Sequence, residues 1–178
     1  MRGRGSAIVL GLLLVAGWAG AYTLGGAPVA GQPPRGAPPL LPIAGVGSAV
    51  VELSADAAAH PAGDTVRQQL QRHYDAINRH DYAAWRETVV PRRADMQPEQ
   101  RWRSDYDSVR DGSVRVDRID DVQDGLIARV RFVSTQDLDH TPPGVRSSRI
   151  CWRVTLPMEG SPPRIGVTKG GSSVPEAC

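Results

Sequence analysis

A helical first half followed by alternating strands predicts an α+β domain, with three N-terminal helices packed on an antiparallel sheet. Two observations carry that expectation. Between Thr65 and Val109 apolar residues recur at helical spacing, and from Val114 onward they alternate, with a strong hairpin signal at Asp124-Gly125. A further observation fixes the setting. Arg2 and Arg4 precede an uncharged run from Ala7 to Gly26, the order of an export segment.

A cleavable signal has an apolar core of about 7–15 residues, whereas a membrane-spanning helix needs about 20. The length of this run favours an uncleaved single-pass transmembrane anchor over residues 1–26. Ala19-Gly20-Ala21 offers a small-residue cleavage site, and its use would give a secreted form. With Arg2 and Arg4 on the cytoplasmic side, the following domain is extracytoplasmic at the cell membrane. Residues 27–48 are rich in Pro and Gly. Pro33-Pro34 and Pro38-Pro39 favour extended polyproline geometry, so this stretch reads as a spacer. Residues 49–178 remain for one domain with a single core.

Each element has its own signal. Ala49–Leu53 reads as a short edge strand or the end of the linker. Thr65 and Gln68 form a capping-box pattern, after which Val66, Leu70, Tyr74 and Ile77 share one helix face. Asp81 suits the cap of a second helix carrying Tyr82, Trp85 and Val89, stopped by Pro91. Pro98 and Glu99 open a third, with Trp102, Tyr106 and Val109 as its stripe and Gly112 as its end. Val114 to Val122 forms a strand. The next carries Val130 and Phe132, with Arg129 and Arg131 on the opposite face. After the loop DLDHTPPG, Ile150, Trp152, Val154 and Leu156 alternate, and Ile165 and Val167 form the last strand.

Charge excludes one class of partner. Removing Arg2 and Arg4 from the 21 basic residues leaves 19 against 19 acidic ones, so no nucleic-acid affinity is expected. Cys151 and Cys178, an even number in an exported chain, predict one structural disulfide. Cys151 alternates with the core-facing residues, so its partner is expected to cross the outer face of the sheet in a Gly- and Ser-containing tail. No metal site is expected. Two thiols without a His pair do not complete a tetrahedral centre, and Asp120–Gly125 fails as a calcium loop because Val122 stands where an oxygen ligand belongs.

The segment VRQQLQRHYDAINRHDYAAWRETVV resembles the opening helices of the nuclear transport factor 2-like superfamily, through Tyr74-Asp75-Ala76-Ile77-Asn78 and the following Asp81-Tyr82. The resemblance runs from about Asp64 to Lys169 and is strongest to exported, membrane-anchored bacterial versions. It implies a cone of three helices on a curved antiparallel sheet, with a cavity lined by Trp85, Trp102, Phe132 and Trp152. Superfamily members include steroid isomerases and polyketide cyclases as well as non-catalytic binding or dimerising domains, so fold alone assigns no activity. Tyr74 matches the first-helix hydroxyl of the enzymes and is the candidate pocket hydroxyl. No acid shares the inward positions of Val130, Phe132, Ile150, Trp152, Val154 and Leu156, which argues against catalysis and for no assigned catalytic residue. Asp117, Asp120, Asp121 and Asp124 gather at a turn and read as solvated.

The leading expectation is therefore a non-catalytic extracytoplasmic module, without a cofactor, that binds a partner protein or a small apolar ligand. It forms a homodimer through its sheet in one version of that reading. The alternatives are an isomerase- or cyclase-like enzyme using Tyr74, and a spacer whose cone is filled by Trp85, Trp102 and Trp152. Arg129, Arg131, Arg149 and Arg153 share the outer sheet face and mark a docking surface for an acidic partner, against the simpler reading of a solvated, charge-balanced face.

Overall fold

A computed structural model describes residues 45–167 and 170–178. The expected export segment and residues 27–44 of the linker lie outside them. Among the described residues no helix is long and apolar enough to cross a membrane.

Strand β1 (Glu52–Leu53) leads into Ser54, whose hydroxyl accepts from Ala57 N and donates to the carbonyl of Asp117 at 2.6 Å. This caps α1 (Ala55–Ala59), a helix without an apolar stripe long enough to announce itself, and ties it to the sheet. The next helix, α2 (Gly63–Asn78), begins two residues ahead of the Thr65–Gln68 pattern, so that capping box does not form. Gly63 makes the earlier start feasible, because a Cβ there would stand 2.5 Å from the carbonyl oxygen of Ala57. Val66, Leu70, Tyr74 and Ile77 are buried along α2 as their spacing predicts.

Asp81 caps α3 (Tyr82–Arg86) by accepting from Ala84 N at 2.9 Å. Pro91 does not stop that helix, which ends at Arg86 before Val89 bridges to Ile165; it occupies the first turn of another, α4 (Pro91–Asp95). Pro98 then precedes α5 (Glu99–Tyr106). The third predicted helix thus ends at Tyr106 and not at Gly112, and the chain is already a strand by Arg110.

Strands β2 (Arg110–Val122), β3 (Gly125–Thr135) and β4 (Arg149–Glu159) form an antiparallel meander. The expected antiparallel sheet is in fact a curved mixed one, because β1 pairs with β2 in parallel. At the far edge β5 (Arg164–Ile165) and β6 (Ser172–Ala177) both pair with β4. The tail expected to cross the outer face is therefore a strand. It pairs along Ile150–Thr155 and satisfies backbone groups that an edge would leave bare.

Two irregularities in β2 shape the interior. Its register against β3 shifts between Gly112 and Arg115 and again between Val116 and Arg118, and Ser113 sits at φ 48°. Each extra residue bends the strand and reverses which side chains face inward. Asp111, Val114, Val116 and Ile119 are accordingly all buried, a sequence no strict alternation would give. Trp85 and Trp102 lie in the core at 1% and 0% exposure, beside Tyr82.

Candidate functional site

The inner face of the sheet is not fully covered by helices. It encloses, with α2, α4, α5 and the loop after β3, a cavity of about 830 Å³. One wall is aromatic. The ring centroids of Tyr74 and Phe132 are 5.1 Å apart, and Phe132 stacks on Trp152 at 5.7 Å with planes 8° apart. Phe132 and Trp152 are directly opposite on β3 and β4, the pairing geometry in which aromatic side chains meet across strands. The Trp152 indole N–H donates to Ser134 Oγ at 2.7 Å, which fixes the ring plane. Exposed residues Met96, His140, Pro143, Ser172 and Ser173 form the mouth.

Asp111 is the buried acid of this cavity, at 3% exposure. Asn78, the only asparagine of the chain, holds it in place. Its Oδ1 accepts from Asp111 N at 2.7 Å, and its Nδ2 donates to the Asp111 carbonyl at 2.8 Å. The side chain is left alone, with Oδ1 buried and without a hydrogen-bond partner. Burial pushes the Asp111 carboxyl up to about 7, since nothing nearby compensates a desolvated negative charge. Burial also raises Tyr74 well above its ordinary value, followed by the field of Asp111 and then Tyr106. Tyr106 is pushed up to about 12 by burial and then by Asp111. Both phenols therefore stay protonated donors across the physiological range. No hydrogen bond joins Asp111 to Tyr74 among the described residues.

Two basic side chains complete the lining. The Thr88 hydroxyl donates to the Trp85 carbonyl at 2.7 Å, so its oxygen must accept from His73 Nδ1, also 2.7 Å away. That assigns the tautomer: Nδ1 carries the proton and Nε2 keeps a lone pair. Burial, and secondarily the charge of Arg93, lower His73 to about 3, so the ring is a neutral acceptor. Arg93, on α4, donates through Nη1 to the Gly166 carbonyl at 3.2 Å, while its Nε is buried without a partner.

Of the residues singled out by sequence, Tyr74, Phe132 and Trp152 line the cavity. Trp85 and Trp102 do not. Their place between α2, α3 and α5 buries them in the core instead, which corrects their assignment to the pocket lining. The four arginines do share the outer face, but it is only partly neutralised within the chain, since Asp117 and Asp120 also pair with Arg115 and Arg118. Arg131 makes a two-pronged pair with Asp117, Arg129 bonds Asp120, Arg153 bonds Glu176, and Arg149 donates to the Gly45 carbonyl. Asp117 and Asp120 are thus partners of this face and not free solvated acids at a turn. Cys151 and Cys178 lie at disulfide distance, with Cα atoms 5.1 Å apart, across the β4–β6 edge.

Asp111, His73, Arg93 and Tyr106 were not singled out by their sequence context. Asp111 was hidden because the third helix was expected to run to Gly112, whereas β2 already begins at Arg110. The signal available was Gly112-Ser113, a small-residue pair able to host a bulge. Among the described residues no group of three or more His, Cys, Asp or Glu side chains is placed to hold a metal ion. No family model, curated protein or solved structure matches the chain.

Proposed function

We propose that this chain is a membrane-tethered extracytoplasmic domain of the nuclear transport factor 2-like type that binds a small, mainly apolar ligand inside its sheet. The observation that carries this reading is the cavity. Its volume of about 830 Å³ falls in the range of small-molecule sites, and it joins an aromatic wall to a few convergent polar groups. A solvent-open cleft of that size over the inner sheet face also counts against a mere spacer, which would gain stability by filling it. The order of helices followed by a curved sheet supports the fold type. The uncharged Ala7–Gly26 run behind two arginines supports the tether. The arginine face supports a protein-docking role less, because three of its four arginines already make ion pairs within the chain.

The test is calorimetric titration of the full chain in lipid nanodiscs with 1-naphthaleneacetamide, using empty nanodiscs as the blank. Binding to the wild type and its loss in Ser173→Trp, a variant that narrows the mouth from an exposed position, is the expected result. Equal heats for both proteins would oppose a ligand cavity.

Asp111 favours a second reading, an enzyme of the isomerase or cyclase kind. A carboxyl held neutral in an apolar site can donate a hydrogen bond to a developing oxyanion, and Tyr74 and Tyr106 offer further donors. Exchange of α-protons of a cyclic enone with deuterated water, followed by NMR, would be expected to slow in Asp111→Asn. Exchange at the buffer rate with wild type would remove this reading.

A further inference from the structure

The charge inside the cavity is unbalanced, and the imbalance indicates what kind of ligand it takes. Arg93 lines the cavity half-buried, and its Nε has neither a protein partner nor access to water. None of the ion pairs formed by the described residues includes it. The remaining residues, 1–44, Thr168 and Lys169, contain neither Asp nor Glu. Asp105, the other acid at the cavity, is spoken for at the rim by Arg101 at 3.6 Å and by Gln97 at 3.1 Å.

Asp111 does not supply the missing counter-charge. Burial alone sets its carboxyl, with no stabilisation from the guanidinium, whereas Tyr74 and Tyr106 each feel both groups. Arg93, Asp111, Tyr74 and Tyr106 all line the cavity, and no ion pair joins Arg93 to Asp111 among the described residues. His73 is neutral and adds no charge. At mildly acid pH the buried part of the lining thus holds one guanidinium, several neutral hydrogen-bond donors and an aromatic wall.

Building on the cavity reading above, we infer that the ligand is an apolar molecule bearing one oxyanion, a carboxylate, seated on the Arg93 guanidinium with its hydrocarbon part against Phe132 and Trp152. A planar guanidinium matches a carboxylate in two parallel hydrogen bonds, and Arg93 lines the cavity with no acid paired to it among the described residues. A half-buried cation left without a counter-ion is costly, so an incoming anion recovers that cost where a neutral molecule of the same shape does not.

The experiment compares 1-naphthaleneacetate with 1-naphthaleneacetamide, which share a frame and differ in charge, by calorimetry on the full chain in nanodiscs. At about pH 6 the probe carboxylate is ionised, while Asp111, pushed up to about 7, is mostly protonated. The acid is expected to bind at least about tenfold more tightly than the amide. Arg93→Met should bring the acid to the level of the amide. Arg93→Lys, which keeps the charge and loses the fork, should fall between. Because Arg93 also holds the Gly166 carbonyl, melting curves accompany each variant, and the lysine variant decides the matter where the methionine variant does not fold. Equal binding of acid and amide by the wild type would overturn the anion inference and leave the cavity reading standing. Retention of the full acid preference in folded Arg93→Met, or in Arg93→Lys where the methionine variant does not fold, would do the same. Binding of neither probe would bring down both.

Discussion

Asp111 and His73 show how two buried titratable residues bend stability in opposite directions. For Asp111 the folded value is raised from 3.8 to about 7. Its contribution is fully present below the unfolded value and is lost as pH rises through about 7. For His73 the folded value is lowered from 6.5 to about 3. Its contribution is present above 6.5 and is lost as pH falls toward about 3. Between about pH 4 and 6.5 the two slopes oppose each other, each near 1.4 kcal/mol per pH unit at most. The wild type should therefore show a shallow stability profile in that window. Asp111→Asn keeps the volume and removes the acid, so its profile should fall with acidification alone, and it should exceed wild type at pH 8 by on the order of 2–4 kcal/mol. Urea denaturation at several pH values measures this. Parallel curves for the two proteins would mean that Asp111 is hydrated in the folded state. At this scale Tyr74, Phe132 and Trp152 were readable from periodicity and resemblance. Asp111 was not, because its orientation depends on a bulge at Ser113 that single-sequence alternation does not display.

Among the elements, β6 carries the clearest dependence on one covalent contact. It pairs only with β4, its residues are largely exposed, and its first residues, with Gly171, form part of the cavity mouth. Joining Cys151 to Cys178 closes a separation of 27 residues, which on the chain-entropy model contributes about 3–4 kcal/mol. Reduction, or Cys178→Ser, should lower the melting temperature by several degrees and increase amide exchange first along Ser172–Ala177, before the meander opens. Alkylation without reductant should label neither thiol. Uniform exchange with labelling of both cysteines in native material would show that the strand stands without the bond. The sequence made the cysteine pairing readable from count and compartment, yet not the strand. Ser172–Ala177 contains Ser-Ser and Pro175, which give no alternating apolar signal, and its position follows from an available edge on β4 and not from its own propensity. The same holds for β1, two residues long. Helices α2 and α3 were legible because their stripes meet the core, whereas α1 and α4 are too short for periodicity to register.

The whole sequence joins an apolar N-terminal run and a Pro-rich stretch to the α+β fold of the described residues. If residues 1–26 remain as an anchor, the protein should stay in the membrane fraction after carbonate washing, and protease added from outside should reach the linker. Native protein beginning at Tyr22 would establish release instead. The composition provides a direct probe of the cavity. Phe132 is the only phenylalanine in the chain and stands in the aromatic wall of the cavity. Labelling with 4-fluorophenylalanine therefore places a single fluorine resonance at the site. Titration of the full chain with 1-naphthaleneacetate should move or split that resonance in a saturable way, and Ser173→Trp should leave it unmoved over the same range. A resonance that stays fixed in the wild type at saturating probe would contradict a ligand-binding cavity.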